Sequence, residues 1–374
     1  MTATERRDRL ITWVCRRLAW VWEHCAGAPS PLPAAPRVLI LKPCCLGDVL
    51  MSTPVIAALH RAWPDAQLDF AVGPWSRPML ERNPRLRRLL DCGRVGSGPY
   101  SPGEWLTLAR RIRAGRYDLC LVLDRSPAMT LLPAIAGIAR RVGLDSDGRG
   151  FSLTQRVPAA SERHEVDLYL ACARALGVPT EGARLEFYPS ETARREASAW
   201  EPAGAGPLVV VHPAGGHNPG MRLSAKRWPA ERYAALIGRL IAERGARVAV
   251  VGGPEDVHLA EEICRQAGAA VNLAGRLSFD QLGALLERAQ LFVGNDTGAM
   301  HLAVAVGAPT VAIFGPSDPR QYGPYGPGHR ALWNPTECAP CLARGRWEAG
   351  CRDFRCIESV TVEQVWIASA ALLS

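Results

Sequence analysis

VLILKPCCLGDVLMSTPVIAALH, residues 38–60, contains the transition that decides the predicted fold. An aliphatic run, VLIL, stops at a Lys-Pro pair, and a helically spaced set of apolar residues begins after Gly47 and Asp48. The short apolar run predicts a buried strand, and the spacing that follows predicts a helix over about 49–62. A carboxylate therefore stands where a buried strand turns into a helix.

The same order of strand and helix continues along the chain. Apolar runs at 68–72 and 119–123 predict strands, and helical spacing at about 104–114 and 128–139 predicts the helices around them. Strand, helix and strand in succession imply a parallel sheet that is covered on both faces. A polar stretch at 161–203, predicted to be mostly helical, closes this half.

The pattern begins again after the Gly- and Pro-rich segment EPAGAGP, which predicts a domain boundary near residue 203. The later predicted strands each run into a turn, and they are found in LVVVHPAGG (208–216), RVAVVGGPED (247–256), LFVGNDTGAMHLAVAVG (291–307) and TVAIFGPSDP (310–319). A closing helix is predicted at 361–373. The predicted class is α/β, with Rossmann-like domains over 37–203 and 204–374 whose parallel sheets face a central cleft.

Residues 1–36 precede this pattern as a basic, Trp-containing extension. Its apolar residues share one helical stripe, which comprises Leu10, Val14, Leu18, Val21 and Trp22. An amphipathic helix within 1–28 either packs on its own protein or lies in a membrane interface, and the sequence leaves both readings open. The four prolines of PSPLPAAP, at 29–36, predict a stiff linker.

Composition limits the classes of function. The 374 residues are 48% hydrophobic, which is ordinary for a globular protein of about two domains. Twelve cysteines are too sparse for a disulfide scaffold, and neither a secretory signal nor an apolar run long enough to span a bilayer is evident, so a cytoplasmic protein is expected. The net charge of +8 favours acidic partners, but no dense basic run interleaved with aromatics indicates nucleic-acid binding.

The common nucleotide-binding signatures are missing. No G-x-G-x-x-G follows the first predicted strand, and no G-x-x-x-x-G-K-[ST] occurs, which argues against a nicotinamide dehydrogenase and a P-loop kinase.

The segment GNDTGAMHLA, 294–303, offers a different kind of anion site. The side chains that can cap its helix by accepting the first amide bonds are Asn295, Asp296 and Thr297. The amides of Thr297, Gly298 and Ala299 then lie at a helix N-terminus, whose partial positive charge suits a diphosphate. A plain helix cap explains the same residues and is favoured when the segment is taken alone, and His301, one turn further on, is by itself more typical of a core histidine.

Further candidates stand near strand ends or helix starts. Lys226 precedes a helix start and could neutralise a phosphate, although exposed lysines are usually solvated. Glu255 could accept hydrogen bonds from ribose hydroxyls or serve as a helix-start acid. Asp48 could remove a proton from an attacking hydroxyl, with Gly47 letting a substrate approach the backbone, or it could be a plain N-terminal helix acid.

Several of these segments, taken together and in order, resemble the lipopolysaccharide heptosyltransferase family, glycosyltransferase family 9. They are KPCCLGDVLMSTPVIAAL, HPAGG…KRW, VVGGPE, GNDTGAMHLAVAVGAPTVAIFGPSDP and the cysteine-bearing tail, and the resemblance extends over about 37–366. It implies a GT-B fold and an inverting transfer of heptose from an ADP-sugar, ADP-heptose by family, to a hydroxyl of a lipopolysaccharide core or another cell-envelope glycolipid. It implies neither a cofactor nor a catalytic metal.

The resemblance also implies roles for single residues. Asp48 matches the family's proposed general base, Lys226 its diphosphate-binding lysine and Glu255 the acid near the nucleotide ribose. The residues that match the family's donor-binding D-T-G and the histidine after it are Asp296, Thr297, Gly298 and His301.

Two features depart from the family's pattern. Cys44 and Cys45 replace the small or hydroxyl-bearing residues that are common before the Gly-Asp pair, so substrate contacts there are expected to differ. The extension at 1–36 precedes the usual start of family members, and it is expected to hold the enzyme at the cytoplasmic face of the inner membrane if it binds lipid. The alternatives left open are a GT-B transferase with another nucleotide-sugar donor and a non-catalytic nucleotide- or glycan-binding protein.

Four cysteines in the tail form a separate cluster, namely Cys338, Cys341, Cys351 and Cys356. Their C-x2-C and C-x4-C spacing is compatible with a structural tetrahedral zinc site, and packed or loosely paired thiols explain it as well.

Overall fold

A computed structural model of the 374-residue chain describes residues 9–18, 31–93, 100–159, 164–215, 217–218, 221–343, 346–347 and 354–374. The described residues form two compact units, one drawn from Met1–Arg77 and Asn83–Ala183 and the other from Pro78–Arg82 and Arg184–Ser374. None of the helices in these parts of the chain is long and apolar enough to cross a bilayer.

The first unit is built on a parallel sheet. Its strands are β1 (Arg37–Leu41), β2 (Gln67–Val72), β3 (Arg88–Asp91), β4 (Leu119–Val122), β5 (Arg140–Asp145) and β6 (Gln155–Pro158). Its helices are α1 (residues 9–18), α2 (Leu46–Ala62), α3 (Pro102–Ala114), α4 (Pro127–Ile135) and α5 (Glu165–Arg174). The six strands are all parallel and lie in the order β3-β2-β1-β4-β5-β6, which confirms the predicted α/β class.

The aliphatic run that opened the pattern lies at the centre of this sheet. Val38 of β1 pairs with Leu119 of β4, and every residue of 38–41 is fully buried. Strands that are covered on both faces need apolar side chains at successive positions, which explains the continuous run in the sequence.

The predicted helices keep their positions, and the ends of α2 at Ala62 and of α3 at Ala114 are confirmed, but other boundaries differ. Helix α2 begins at Leu46, earlier than predicted, because Gly47 and Asp48 enter its first turn, where a carboxylate meets the positive end of the helix. Helix α4 ends at Ile135 rather than 139, since Gly137 adopts a left-handed φ of +84° and the chain continues into β5, a strand that was not predicted.

The stretch at 161–203 is less helical than predicted. Among its described residues, only α5, the short helix α6 (Glu191–Glu196) and a 3₁₀ turn at Ala197–Trp200 are helical. The residues between α5 and α6 contain Gly and Pro at positions that disfavour helix, namely Gly177, Pro179, Gly182 and Pro189.

The second unit repeats the architecture of the first. Its strands are β7 (Leu208–His212), β8 (His217–Asn218), β9 (Met221–Arg222), β10 (Arg247–Val250), β11 (Val271–Asn272), β12 (Leu291–Asn295), β13 (Thr310–Phe314), β14 (His329–Trp333), β15 (Leu342–Ala343) and β16 (Arg346–Trp347). Besides α6, its helices are α7 (Ala230–Arg244), α8 (Val257–Ala267), α9 (Phe279–Glu287), α10 (Gly298–Ala305), α11 (Pro319–Tyr322), α12 (Arg355–Glu358) and α13 (Val362–Leu372). The main sheet is parallel, in the order β11-β10-β7-β12-β13-β14, and two short hairpins pair β8 with β9 and β15 with β16.

The segment at 201–207 lies within the second unit, ahead of β7. Glu201 is bound there by two arginines, Arg247 and Arg288, so the chain is already fixed to this unit before its first strand.

Helix α1 packs on the first unit through a narrow face. Ile11 and Cys15 contact Phe151 and Leu131, and the remaining stripe points outward. The apolar residues of α1 that stay exposed are Leu10, Trp13, Val14 and Leu18. The other two residues of the predicted stripe, Val21 and Trp22, lie outside the described residues.

Asp69 is a buried anchor for the edge of the first sheet. Its carboxylate on β2 accepts hydrogen bonds from Arg87 (2.9 and 2.6 Å), from Arg88 (2.7 Å) and from the hydroxyl of Tyr117 (2.6 Å). These contacts tie β3 and the start of β4 to β2.

Replacing Asp69 with Ala should destabilise the protein by about 3 kcal/mol, because the buried hydroxyl and the two guanidinium groups lose their shared acceptor. Urea unfolding of Asp69→Ala measures the loss. Asp65→Ala removes an exposed carboxylate that precedes β2 and serves as the control, with a change below about 0.5 kcal/mol. Equal unfolding midpoints for the two variants would contradict the anchoring role.

Candidate functional site

In both sheets the strand order reverses at one point. Strand β1 lies between β2 and β4, and strand β7 lies between β10 and β12. Ligands of open α/β sheets bind outside the carboxyl ends of the strands at such a switch point. The reversals lie between β1 and β4 and between β7 and β12, so polar residues that follow these four strands are the first candidates for a site.

The switch point of the first unit holds a buried lysine between two carboxylates. The Nζ atom of Lys42, directly after β1, lies 3.2 Å from Oδ2 of Asp48 and 3.8 Å from Oδ2 of Asp124. The Lys42 side chain is 7% exposed, whereas Asp48 is 30% exposed and Asp124 is 20% exposed. The cation is thus enclosed, and the carboxylates form the accessible side of the cluster.

Neighbouring groups hold Lys42 in its charged form. Burial lowers the pKa of Lys42, but Asp48 and Asp124 more than offset that effect, so the pKa is raised above its usual value. The ammonium group also lies 5.8 Å from the ring centroid of Tyr169. Next to it, Arg125 donates to both oxygens of the buried Glu165 at 3.1 and 2.6 Å.

Among the residues of this cluster, only Asp48 was predicted from the sequence. Lys42, Asp124, Arg125 and Glu165 were missed as site residues, although Lys42 and Asp124 directly follow or nearly follow predicted strands. Their position at the carboxyl ends of predicted parallel strands is the signal that indicates both residues.

Cys44 and Cys45 form the turn between β1 and α2. Their Sγ atoms are 2.7 Å apart and both side chains are half-buried. A hydrogen bond from Cys45 lowers the pKa of the Cys44 thiol, and the same contact together with burial raises the pKa of Cys45. Gly47 is half-buried in the first turn of α2, next to Asp48.

The switch point of the second unit also pairs a lysine with an aspartate. Nζ of Lys226 lies 2.5 Å from Oδ2 of Asp296, and the same oxygen accepts a 2.5 Å hydrogen bond from Ser317. Burial alone would raise the pKa of Asp296, but Lys226 and Ser317 hold it below its usual value. His301, one turn along α10, is buried and also favours the charged form of Asp296.

Helix α10 begins without the predicted side-chain cap. Thr297 is its N-cap residue, yet the Thr297 side chain does not bond to the first amides of the helix, and Asp296 is bound to Lys226 instead. The Thr297 hydroxyl oxygen is buried and has no hydrogen-bond partner among the described residues. The helix therefore begins at Gly298 with the amides of its first turn not occupied by the N-cap side chain, which is how an anion site is built.

Asn295 has a different task from the predicted capping. Its Nδ2 donates to the carbonyl oxygens of Pro213 and Ala214, both at 2.9 Å. Its Oδ1 accepts from the amide of Trp228 at 3.1 Å and from the hydroxyl of Tyr233 at 2.9 Å. The side chain thereby fixes the turn after β7 and the start of α7 to the end of β12.

Two acidic residues after β10, Glu255 and Asp256, differ in exposure and in their contacts. Glu255 is exposed in the 3₁₀ turn Pro254–Asp256, where a ligand can reach it. Asp256 is buried and binds Arg227 (3.3 Å), whose Nε donates to the carbonyl oxygen of Gly215 at 3.0 Å. Lys226 precedes this arginine in a 3₁₀ turn at Ser224–Lys226, and α7 starts only at Ala230, with Pro229 as its N-cap residue.

His212 is another residue that sequence reasoning missed. It ends β7 at the switch point and is buried. Burial and the nearby Arg227 lower the pKa of His212 to about 4, so the imidazole is neutral at pH 7. Its Nδ1 has no hydrogen-bond partner in the described part of the chain.

The tail cysteines are only partly described. Cys338 is exposed, Cys341 and Cys356 are buried, and Cys351 lies outside the described residues. Across the ranges that the structure does describe, no group of three or more His, Cys, Asp or Glu side chains is arranged to hold a metal ion.

Comparison with known proteins identifies a matching family and relatives that cover most of this chain. The family model "Glycosyltransferase family 9 (heptosyltransferase)" matches residues 105–351. The chain is 31% identical over 299 residues to lipopolysaccharide heptosyltransferase 2 of Escherichia coli, covering 76% of this chain and 84% of the relative. It is 30% identical over 305 residues to lipooligosaccharide heptosyltransferase 2 of Haemophilus influenzae, covering 77% and 85%.

Comparison with solved structures supports the same family at the level of the fold. The chain is similar to a structure of E. coli ADP-heptose lps heptosyltransferase II, with a TM-score of 0.71 and 27% identity over 90% of this chain and 98% of that chain. The match extends over both units, and it confirms the GT-B fold that the sequence resemblance predicted.

Replacing Asn295 with Ala should destabilise the protein by about 3 kcal/mol, because four buried backbone and side-chain groups lose their partner at once. Urea unfolding of Asn295→Ala measures this change. Asn334→Ala is the matched control, since the Asn334 amide bonds lie at the surface and water can replace them. A loss no larger than that of the control would show that Asn295 does not hold these segments together.

Proposed function

Because the chain belongs to glycosyltransferase family 9, we propose that it transfers a heptose from ADP-heptose to a hydroxyl group of a lipopolysaccharide core. The observation that carries this proposal is the chemistry of the two switch points. One presents accessible carboxylates around an enclosed cation, and the other presents a lysine beside an uncapped helix start. A general base and a diphosphate site are the two elements that glycosyl transfer from a nucleotide sugar requires.

The second unit supplies the donor site. Lys226 donates one N–H to Asp296, which leaves two N–H groups for diphosphate oxygens. The backbone N–H groups in the first turn of α10 are further donors to the same anion. Asp296 acts in this proposal as the anchor that keeps Lys226 charged and fixed. The Thr297 hydroxyl donates to a phosphate or sugar oxygen, and the exposed Glu255 accepts from ribose hydroxyls.

The first unit supplies the base. Asp48 takes the proton from the acceptor hydroxyl while the oxygen forms a bond to the anomeric carbon, and the bond from that carbon to the diphosphate breaks with its electron pair leaving on ADP. Attack from the face opposite the leaving group inverts the configuration. Lys226 and the helix amides stabilise the negative charge that develops on the diphosphate.

We also propose that α1 brings the enzyme to the cytoplasmic face of the inner membrane, where a lipid-linked acceptor is found. Leu10 and Trp13 are 61% and 58% exposed, and Val14 and Leu18 continue their stripe. Exposed arginines flank it, with the guanidinium of Arg17 5.5 Å from the Trp13 ring centroid. An apolar stripe bordered by cations suits an anionic bilayer surface.

A non-catalytic binding protein on the same scaffold needs the donor site but has no use for a general base. The two classes therefore differ in what loss of Asp48 does, and the experiment below separates them.

Asp48→Asn should reduce kcat by at least about 100-fold and leave the Kd for ADP within about twofold, because the base acts on the acceptor and not on the nucleotide. Lys226→Met should instead act mainly on nucleotide binding, and it should raise the Kd for ADP about tenfold or more. Calorimetry with ADP and ADP release from ADP-heptose with heptose-deficient lipopolysaccharide measure the two quantities.

Asp65→Asn, an exposed carboxylate of the first unit, is the control and should match the wild type in both assays. Undiminished turnover by Asp48→Asn would remove the general-base assignment. Absence of transfer by the wild type with this donor and acceptor, together with intact ADP binding, would favour the binding-protein alternative.

The double variant Leu10→Glu, Trp13→Glu should lower binding to vesicles of phosphatidylglycerol and phosphatidylethanolamine by about tenfold or more, since two apolar side chains can no longer enter the interface. Co-sedimentation measures binding. Ile367→Glu changes an equally exposed apolar residue on α13 and should leave binding unchanged. Equal recovery of all three proteins with the vesicles would defeat the membrane proposal.

A further inference from the structure

The distribution of lysine in this chain is unusual. The sequence contains 44 lysine and arginine residues together, and only Lys42 and Lys226 are lysines. Both lysines are largely enclosed, and both pair with an aspartate at the switch point of a sheet. The proposed function assigns a task to Lys226 but none to Lys42.

We propose that Lys42 is the positioning residue of the transfer reaction, and that it shares its charge between Asp48 and Asp124 so that Asp48 is fixed, ionised and still able to accept a proton. The inference rests on the proposed role of Asp48 as the general base. It assigns two further residues, Lys42 and Asp124, to the control of that base.

The charges in the cluster explain why two carboxylates are needed. Arg125 and Glu165 neutralise each other through their two-point contact. The three remaining charges, from Lys42, Asp48 and Asp124, leave one net negative charge on the accessible side. A lysine paired with Asp48 alone would form a neutral pair and a weak base, and two carboxylates without the lysine would take up a proton between them.

Separate contacts hold Lys42, Asp124 and Asp48 in position. Lys42 is held by the end of β1 and by the ring face of Tyr169, so its Nζ cannot follow a carboxylate into solvent. Asp124 is held through its other oxygen, since Oδ1 accepts from the amide of Ser126 at 2.7 Å. Asp48 is the more exposed of the two carboxylates, and the shared cation fixes its Oδ2 from behind.

Other titratable groups border the cluster and define the controls. Besides the pair formed by Arg125 and Glu165, the groups that interact electrostatically with one or both carboxylates are Cys44, Cys45, Cys92 and Tyr100. Asp91 interacts in turn with Cys92 and Tyr100. Burial raises the pKa of Cys92 and of Tyr100, so both are neutral near pH 7. Cys44 is the exception because its pKa is lowered, and a Cys44→Ser background therefore has to give the same pH shifts.

The charge-sharing role predicts opposite pH shifts for two substitutions. Lys42→Met removes the cation, so the carboxylates ionise only at higher pH, and the acid limb of kcat should move up by about one pH unit or more. Asp124→Asn leaves Lys42 to Asp48 alone, so the acid limb should move down by about one unit and the plateau of kcat should fall because the base is weaker. Lys42→Arg keeps the charge but misplaces it, so kcat should fall with the acid limb unchanged.

The small number of lysines allows a readout that needs no turnover. Protein labelled with ¹³C,¹⁵N-lysine contains two labelled side chains, and Lys226→Arg assigns the signal of Lys42. In the wild type the Lys42 signal should titrate with the same midpoint as the acid limb of kcat. In Asp124→Asn the midpoint of this titration should move to lower pH. In Asp48→Asn the pH-dependent change in the Lys42 signal should become smaller, because the component due to Asp48 is lost.

The outcomes separate the two proposals. If Asp48→Asn is inactive but Lys42→Met and Asp124→Asn shift the acid limb in the same direction or not at all, Lys42 is a structural residue and the inference is overturned. If Asp48→Asn remains active, the general-base assignment fails, and the inference fails with it. If no transfer is found with any variant, a Lys42 signal that does not respond to Asp124→Asn overturns charge sharing independently of the reaction.

Discussion

The reversal of strand order within each sheet is the constraint on which the rest of the structure depends. Where two neighbouring parallel strands send their connections to opposite sides, nothing crosses above their carboxyl ends. The chain can then leave polar groups there without covering them. Lys42 and Asp124 follow the strands at this point in the first unit, and His212 and Asp296 stand at the equivalent strands in the second. Pairing of the buried aliphatic strands thus brings polar residues from distant parts of the sequence together at the carboxyl ends of the strands.

Both switch points place an enclosed ammonium group against an aspartate, but they use it differently. Lys226 has one carboxylate partner among the described residues, Asp296, which is itself buried and held by Ser317, so the cation is fixed. The lysine is the more exposed member of this pair, at 14% against 7%. Lys42 has two partners that are more exposed than it is, so the accessible groups are anions. The same ion pair therefore presents positive charge in one unit and negative charge in the other. Which member is enclosed decides what kind of group the site can receive.

Much of the fold was predictable because its signals are local. Aliphatic runs marked the central strands, turns at strand ends made Asp48 and Asp296 candidates, and the family resemblance added Lys226. The partners of these residues were not predictable, because pairing β1 with β4 brings Lys42 to Asp124 across 81 intervening residues. Local rules also failed where tertiary contacts compete with them. Asn295 is an excellent capping residue by type, yet its side chain binds two loops and an aromatic hydroxyl instead.

That failure of the capping rule has a functional meaning. A segment reading Asn-Asp-Thr before a helix would normally satisfy the first amides with its own oxygens and close the helix end to ligands. Here Asn295 is bound to the turn after β7, Asp296 is bound to Lys226, and the Thr297 hydroxyl makes no hydrogen bond to the amides. Leaving a helix start uncapped costs about 1 kcal/mol of stability. Natural sequences tend to break local rules in this way where a site requires it, because a satisfied amide is unavailable to bind a phosphate. The hydrogen bonds of Asn295 fix the end of β12 directly ahead of α10, while the amides of the first turn stay free of the N-cap side chain.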